Sequence, residues 1–190
     1  FCVDIDLKTK DVEMYKFKVS ENSMKVITHK NEFIFASGID EMIHIYDMNK
    51  RQEKELFETY SGAISNIFVV KDFILACGNH CEIPIWRMSD FELLHKLKGH
   101  KKDVIALAVH KSAKFAISSA KDNTLIVWNL MNGLKIIKYN LKNLTCNKII
   151  FFDDDSHALI VFDFEVWVFD YMKSKGTEEE WVETNPLANM

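Results

Sequence analysis

The sequence predicts an all-β chain of four-stranded antiparallel sheets set radially around a hub, a β-propeller, on three observations. Four short segments repeat one another: Ile43-His44-Ile45-Tyr46-Asp47, Ile83-Pro84-Ile85-Trp86-Arg87, Leu125-Ile126-Val127-Trp128-Asn129 and Val166-Trp167-Val168-Phe169-Asp170. Their aromatics at 46, 86, 128 and 169 are separated by 40, 42 and 41 residues, a period that belongs to blades of sheet rather than to helical repeats. Each repeated segment is also preceded by further runs rich in Phe, Ile and Val, and three of the four are led in by a turn holding Gly, Asp or Asn, which is hairpin material.

Taken in order, residues 1–7 and 12–19 read as strands ahead of the first repeat. The first strand of each unit falls at 24–27, 64–70, 104–109 and 149–152, and the second at 33–37, 73–77 and 115–119. The turns that follow are Gly38-Ile39-Asp40, Gly78-Asn79-His80 and Ala120-Lys121-Asp122, each leading into the strand that carries the aromatic. A more polar fourth strand follows, at 93–97 and 134–139. Phe91, Leu94 and Leu97 would also suit one face of a short helix, but the repeat register favours a strand there. Inner strands apolar on both faces are expected where sheets stack on both sides, because a lone sheet cannot cover itself. The expected units are 1–19, 20–59, 60–99, 100–142 and 143–190, in one propeller domain.

Composition agrees with a globular domain. The chain has 190 residues, 48% apolar and 27% charged, with only 6 Gly and 2 Pro, which excludes collagen-like or Pro-rich linker material. No uninterrupted apolar run is long enough to cross a bilayer as a helix, and no signal-peptide pattern opens the chain, so no membrane role is expected. Four cysteines, Cys2, Cys77, Cys81 and Cys146, lack disulfide-framework spacing and suit a reducing compartment. The net charge of −4 conceals a division: residues 1–94 carry −5, residues 95–150 carry +9 and residues 151–190 carry −8.

The third unit is the most explicit: Gly99-His100, then 21 residues to Asp122, then Trp128-Asn129. It resembles the WD-repeat. The resemblance implies that His100, Ser118, Asp122 and Trp128 form a hydrogen-bonded chain, which a buried indole, hydroxyl and imidazole need. The other units keep the pattern incompletely. Ala36 and Tyr46 replace Ser and Trp in the first, Tyr60 and His80 replace His and Asp in the second, and the fourth has neither Gly-His nor Asp. The run from Ser37 through His44-Ile45-Tyr46-Asp47-Met48 to Lys50, with Ser61-Gly62-Ala63-Ile64-Ser65 and Leu97-Lys98-Gly99-His100-Lys101-Lys102-Asp103-Val104, is similar to one WD-repeat subfamily. Those are the Mak-type ribosome-assembly factors, whose animal members are named for interacting with PAK-type kinases. That resemblance implies a seven-bladed propeller. The sequence accommodates about four blades plus strands of the closing blade. It also implies a non-catalytic scaffold in large (60S) ribosomal subunit biogenesis, in the nucleolus or nucleus. The implied partners are pre-60S assembly factors or ribosomal proteins, and rRNA. A signalling adaptor that restrains a PAK-type kinase is the alternative.

Chemistry gives little competition. Ile149-Ile150-Phe151-Phe152-Asp153-Asp154 has the look of a magnesium-binding strand end, but no Gly-rich phosphate loop accompanies it. Cys77, His80 and Cys81 lack a second pair of metal ligands, leaving a buried Cys77 and an exposed His80 on a turn. Asn143-Leu144-Thr145 matches a glycosylation pattern that needs a secretory context. His100, Ser118 and Asp122 have triad residue types, but the blade would hold Ser118 inside it. No catalytic residue, metal or cofactor is therefore expected. The surviving functional candidate is the basic window of His95, Lys96, Lys98, His100, Lys101, Lys102, His110, Lys111 and Lys114 on the connections of the third unit. Its lysines Lys96, Lys98, Lys101, Lys102, Lys111 and Lys114 suit contact with rRNA phosphates or a protein partner. The acidic stretches at 153–155 and 178–180 suit a basic partner.

Overall fold

The computed structural model describes residues 2–5, 12–15, 23–58, 62–142, 144–153 and 156–171. These residues form seventeen strands and no helix. Strands β1 (Cys2–Ile5) and β2 (Val12–Tyr15) pair as an antiparallel ribbon. Sheet 1 holds β3 (Met24–Lys30), β4 (Phe33–Gly38), β5 (Met42–Asp47) and β6 (Gln52–Glu58) in that order. Sheet 2 holds β7 (Ile64–Val70), β8 (Phe73–Gly78), β9 (Ile83–Arg87) and β10 (Leu93–Leu97). Sheet 3 holds β11 (Val104–Val109), β12 (Phe115–Ala120), β13 (Thr124–Asn129) and β14 (Leu134–Asn140). The last sheet holds β15 (Cys146–Phe151), β16 (His157–Phe162) and β17 (Val166–Asp170). Every sheet is an antiparallel meander, and successive sheets touch through their innermost strands: β3 on β7, β7 on β11 and β11 on β15.

The repeat register is preserved at the aromatic position of each sheet. Tyr46, Trp86, Trp128 and Phe169 each occupy the penultimate position of the third strand. They lie opposite Ile34, Ile74, Ala116 and Ala158, each the second residue of the neighbouring strand. In each four-stranded sheet the outer pairing slips beside this aromatic, so that Lys54, Leu94 and Ile136 are extra residues. A bulky ring in one strand is accommodated by a bulge in its partner, which also increases the twist. A second set of slips recurs near the start of every inner strand, at residues 25, 65, 105 and 147.

Three apolar clusters fill the spaces between sheets. Phe35, Ile43 and Ile45 of sheet 1 meet Ile64, Ile74 and Trp86 of sheet 2. Leu75, Ile83 and Ile85 meet Leu107, Ile126 and Trp128. Ile117, Leu125 and Tyr139 meet Ile149, Ile160 and Phe169. Trp128 is 0% exposed, so burying it alone contributes about 2–3 kcal/mol. The expectation that inner strands are apolar and covered on both faces holds for β11 but not for β3 and β15, where Ile27, Lys25, Asn147 and Ile150 are exposed. The first and last sheets have a neighbouring sheet on one side only among the described residues. Residues 91–97 settle as a turn and strand β10. Phe91, at φ 61°, closes the turn, and its ring goes into the first cluster.

Candidate functional site

Sheet 3 contains a buried polar chain that joins a loop to a turn. Trp128 Nε1 donates to Ser118 Oγ at 2.7 Å, and Ser118 Oγ lies 2.8 Å from His100 Nε2. The other imidazole nitrogen, Nδ1, lies 3.0 Å from Thr124 Oγ1 and 3.3 Å from Asp122 Oδ1. Asp122 also accepts from the Lys101 amide at 2.7 Å, the Thr124 hydroxyl at 2.6 Å and the Thr124 amide at 3.2 Å. The donor inventory assigns the direction: indole N–H to serine oxygen, serine O–H to Nε2, and Nδ1–H to Thr124 Oγ1 and the Asp122 carboxylate. A neutral imidazole completes that chain. Burial holds the His100 pKa below the usual histidine value, against the opposing pull of the Asp122 charge. For Asp122, burial pushes the carboxyl up, but the Thr124 hydroxyl, the Lys101 amide and His100 outweigh it and leave the pKa below the usual value.

Gly99 precedes this histidine for a steric reason. A Cβ there would stand 3.0 Å from Trp128 Cη2 and 3.2 Å from Ile126 Cδ1, so the loop packs its backbone flat on the indole. Lys138 of β14 donates to the Gly99 carbonyl at 3.0 Å and ties the loop to the outer strand. The Ser118 hydroxyl is fully buried and its hydrogen bonds run to its neighbours in the sheet, so it is wiring.

Sheet 1 satisfies the corresponding turn in another way. Ala36 stands where sheet 3 has Ser118, and the residue opposite it is His44 where sheet 3 has Ile126. His44 Nε2 lies 2.7 Å from Asp40 Oδ2 and Nδ1 lies 3.0 Å from Glu53 Oε1, with the imidazole buried. In sheet 2, His80 is half-buried rather than exposed as expected. Its Nδ1 accepts from the Glu82 amide at 3.1 Å and folds the turn back on itself. The thiols of Cys77 and Cys146 are buried, which raises their pKa to about 12 and about 11. No cluster of three or more His, Cys, Asp or Glu suited to a metal occurs among the described residues. Tyr60, Asn143, Asp154, Asp155 and the acidic run at 178–180 lie outside the described residues.

The basic window does not form one patch. Lys96 lies within β10 of sheet 2 rather than on a connection, and Lys98, Lys101 and Lys102 fall between β10 and β11. Lys111 and Lys114 fall between β11 and β12, at the opposite end of a six-residue strand, roughly 20 Å away at 3.3 Å per residue. His110, counted with the window in sequence, is buried with its ring 5.1 Å from that of Phe151. Lys98 pairs with Glu82 at 3.2 Å, and Lys111 Nζ donates to the Asp153 carbonyl at 2.7 Å. Lys101, Lys102 and Lys114 pair with no carboxylate among the described residues. Phe164, 99% exposed, sits in the β16–β17 turn beside Asp163, which accepts from Asn147 Nδ2.

The family described as "WD domain, G-beta repeat" matches residues 91–129, the span that contains the chain from His100 to Trp128. Residues 91–129 are a WD repeat. Similarity to curated relatives extends well beyond that repeat. The chain is 31% identical to "p21-activated protein kinase-interacting protein 1-like" of Danio rerio, over 82% of its own length and 43% of the relative's. It is 28% identical to "Protein MAK11" of Saccharomyces cerevisiae over 70% of this chain and 37% of that one. It is 25% identical to "Shk1 kinase-binding protein 15" of Schizosaccharomyces pombe over 69% and 40% respectively. The chain therefore spans less than half the length of these relatives. The crystal structure of the computationally designed Ika4 protein matches it with a TM-score of 0.72, covering 82% of this chain and 95% of that one at 16% identity, a likeness of fold alone.

Proposed function

We propose that this protein is a non-catalytic WD-repeat scaffold in biogenesis of the large (60S) ribosomal subunit, acting in the nucleolus or nucleus. The observation that supports it most is the similarity to Protein MAK11 across 70% of the chain, together with the Mak-type segments around Tyr46 and His100. The mechanism is multivalent contact: rigid sheets hold their connecting loops at fixed separations, so several weak contacts act together. The connection carrying Lys98, Lys101 and Lys102 is the proposed rRNA or partner contact at one end of the sheets, and Lys111 and Lys114 form a separate one at the other. We further infer that units 20–59, 60–99, 100–142 and 143–190 are blades of a larger ring, with residues 1–19 in its closing blade. The exposed Ile150, Val166 and Val168 on one face of the last sheet suit coverage by a further blade. A second reading, an adaptor that binds and restrains a PAK-type kinase, is favoured by the printed names of the Danio rerio and Schizosaccharomyces pombe relatives.

Affinity purification of the protein from cells separates the two. Pre-ribosomal particles with rRNA in the eluate are expected under the first reading, and a kinase without RNA under the second. Replacing Lys98, Lys101 and Lys102 by Glu is expected to weaken particle association and flatten its salt dependence. Unchanged association in that variant removes the proposed rRNA contact.

A further inference from the structure

The last residues of all four inner strands surround one open hollow of about 480 Å³, at the end opposite Lys98, Lys101 and Lys102. The apolar part of its wall is built from Phe68 and Val70 of β7, Val109 of β11 and Phe151 at the end of β15. Its lining includes a lysine from each of three successive sheets: Lys30 ends β3, Lys71 follows β7 and Lys111 follows β11. The fourth side carries Asp153, whose carbonyl receives the Lys111 ammonium at 2.7 Å. Lys30 and Lys71 pair with no carboxylate among the described residues.

We propose that this hollow docks an acidic protein segment, with an apolar side chain seated among Phe68, Val70, Val109 and Phe151 and flanking carboxylates on Lys30 and Lys71. Two features of the lining choose this occupant. Unpaired ammonium groups attract anions of any kind, but an apolar hollow gains only from a group that displaces its water. The volume lies within the roughly 300–1,000 Å³ range of sites that enclose a small ligand or side-chain cluster. A polyphosphate backbone would meet the lysines and leave the hollow unfilled. Asp153 breaks the symmetry of the rim, so the carboxylates of the segment lie toward sheets 1 and 2. The site is independent of the ribosomal reading, and its distance from Lys98, Lys101 and Lys102 lets both ends be occupied together.

The test uses the full chain and fluorescence polarisation of a fluorescein-labelled peptide in which a Leu-Phe pair is flanked on both sides by aspartates and glutamates. Saturable binding is expected. The Lys30→Glu/Lys71→Glu variant should weaken it at least about tenfold, since each change turns an attraction into a repulsion. A peptide with Ser-Ser in place of Leu-Phe should bind at least about fivefold more weakly. Lys98→Glu/Lys102→Glu should leave binding unchanged, and a twelve-nucleotide oligouridine should not displace the peptide. Urea midpoints report the folding of each variant, and Lys30→Gln/Lys71→Gln replaces the charge reversal if that variant does not fold. The proposal is overturned by absence of saturable binding up to about 1 mM peptide, the weak end of specific recognition. Equal binding of the Ser-Ser peptide, or equal loss in the two pairs of variants, also overturns it in favour of general surface charge. Displacement by the oligouridine overturns it in favour of RNA.

Discussion

Ser118→Ala is the sharpest perturbation of the wiring in sheet 3. The hydroxyl is fully buried and accepts from the Trp128 indole at 2.7 Å while donating to His100 Nε2, 2.8 Å away. Replacing it by a methyl hydrogen removes few contacts, so the packing cost is small. The loss falls on the partners, because Trp128 is 0% exposed and the His100 side chain is 0% exposed, and no water reaches either. Each of the two orphaned buried groups costs about 1–3 kcal/mol, so the variant is expected to lose about 2–6 kcal/mol. Urea unfolding followed by tryptophan fluorescence measures it, as a lower midpoint at unchanged slope. A cycle with Trp128→Phe isolates the first hydrogen bond: in that background Ser118→Ala should cost at least 1 kcal/mol less, roughly the value of the orphaned indole. A loss below about 0.5 kcal/mol, the range of an indifferent surface change, would refute the idea that the chain holds the blade together.

Four other expectations follow from the geometry. His100 titrates below its ordinary 6.5 and Asp122 below its ordinary 3.8, so the unfolded chain binds each proton first and both contributions are lost on acidification. The urea midpoint should therefore fall in two stages, from about pH 6.5 and again from about pH 3.8, and His100→Gln should remove the first stage. Gly99→Ala drives a Cβ to 3.0 Å from Trp128 and is expected to cost about 1–3 kcal/mol, read from thermal or urea midpoints. The thiols of Cys77 and Cys146, with pKa raised to about 12 and about 11, should resist iodoacetamide at pH 8 and react only after urea is added, as mass spectrometry of labelled peptides would show. Lys54 holds its ammonium 4.7 Å from the Phe33 ring and 4.6 Å from the Phe91 ring, across sheets 1 and 2, so Lys54→Gln should lower stability by about 0.5–1 kcal/mol in urea titrations.

The architecture was legible because the period and the pairing register express the same fact. A ring that must occupy one place in every sheet recurs every 40 to 42 residues. The hydrogen-bonded residues of sheet 3 could be named from the WD pattern because that unit alone retains His, Ser, Asp and Trp together. Three features left no such trace. The outer-strand bulge falls on Lys54, Leu94 and Ile136, three residue types with nothing in common, because a bulge answers the bulk of the opposite strand. The basic window read as one block because a charge count ignores that β11 carries its two flanks to opposite ends. His110 looked like part of that block until Phe151 and Tyr171, some 40 and 60 residues later, closed over its ring at 5.1 and 6.2 Å.

Sheets 1 and 3 meet the same turn carboxylate in two different ways. Both place an aspartate, Asp40 or Asp122, in the turn before the third strand, and both give it an imidazole partner. In sheet 3 the imidazole comes from the loop ahead of the first strand, and needs Ser118 and Trp128 behind it to satisfy its second nitrogen. In sheet 1 the imidazole comes from within the third strand, and its second nitrogen is met by Glu53 on the fourth. Once His44 supplies the imidazole, neither a serine at 36 nor an indole at 46 has a function in the chain, and Ala36 and Tyr46 are tolerated there. Ala36 and Tyr46 in sheet 1 are therefore linked through His44 rather than two separate losses. Where the turn carries an aspartate, as in sheets 1 and 3, an imidazole meets it, and the element that supplies that imidazole differs between the two.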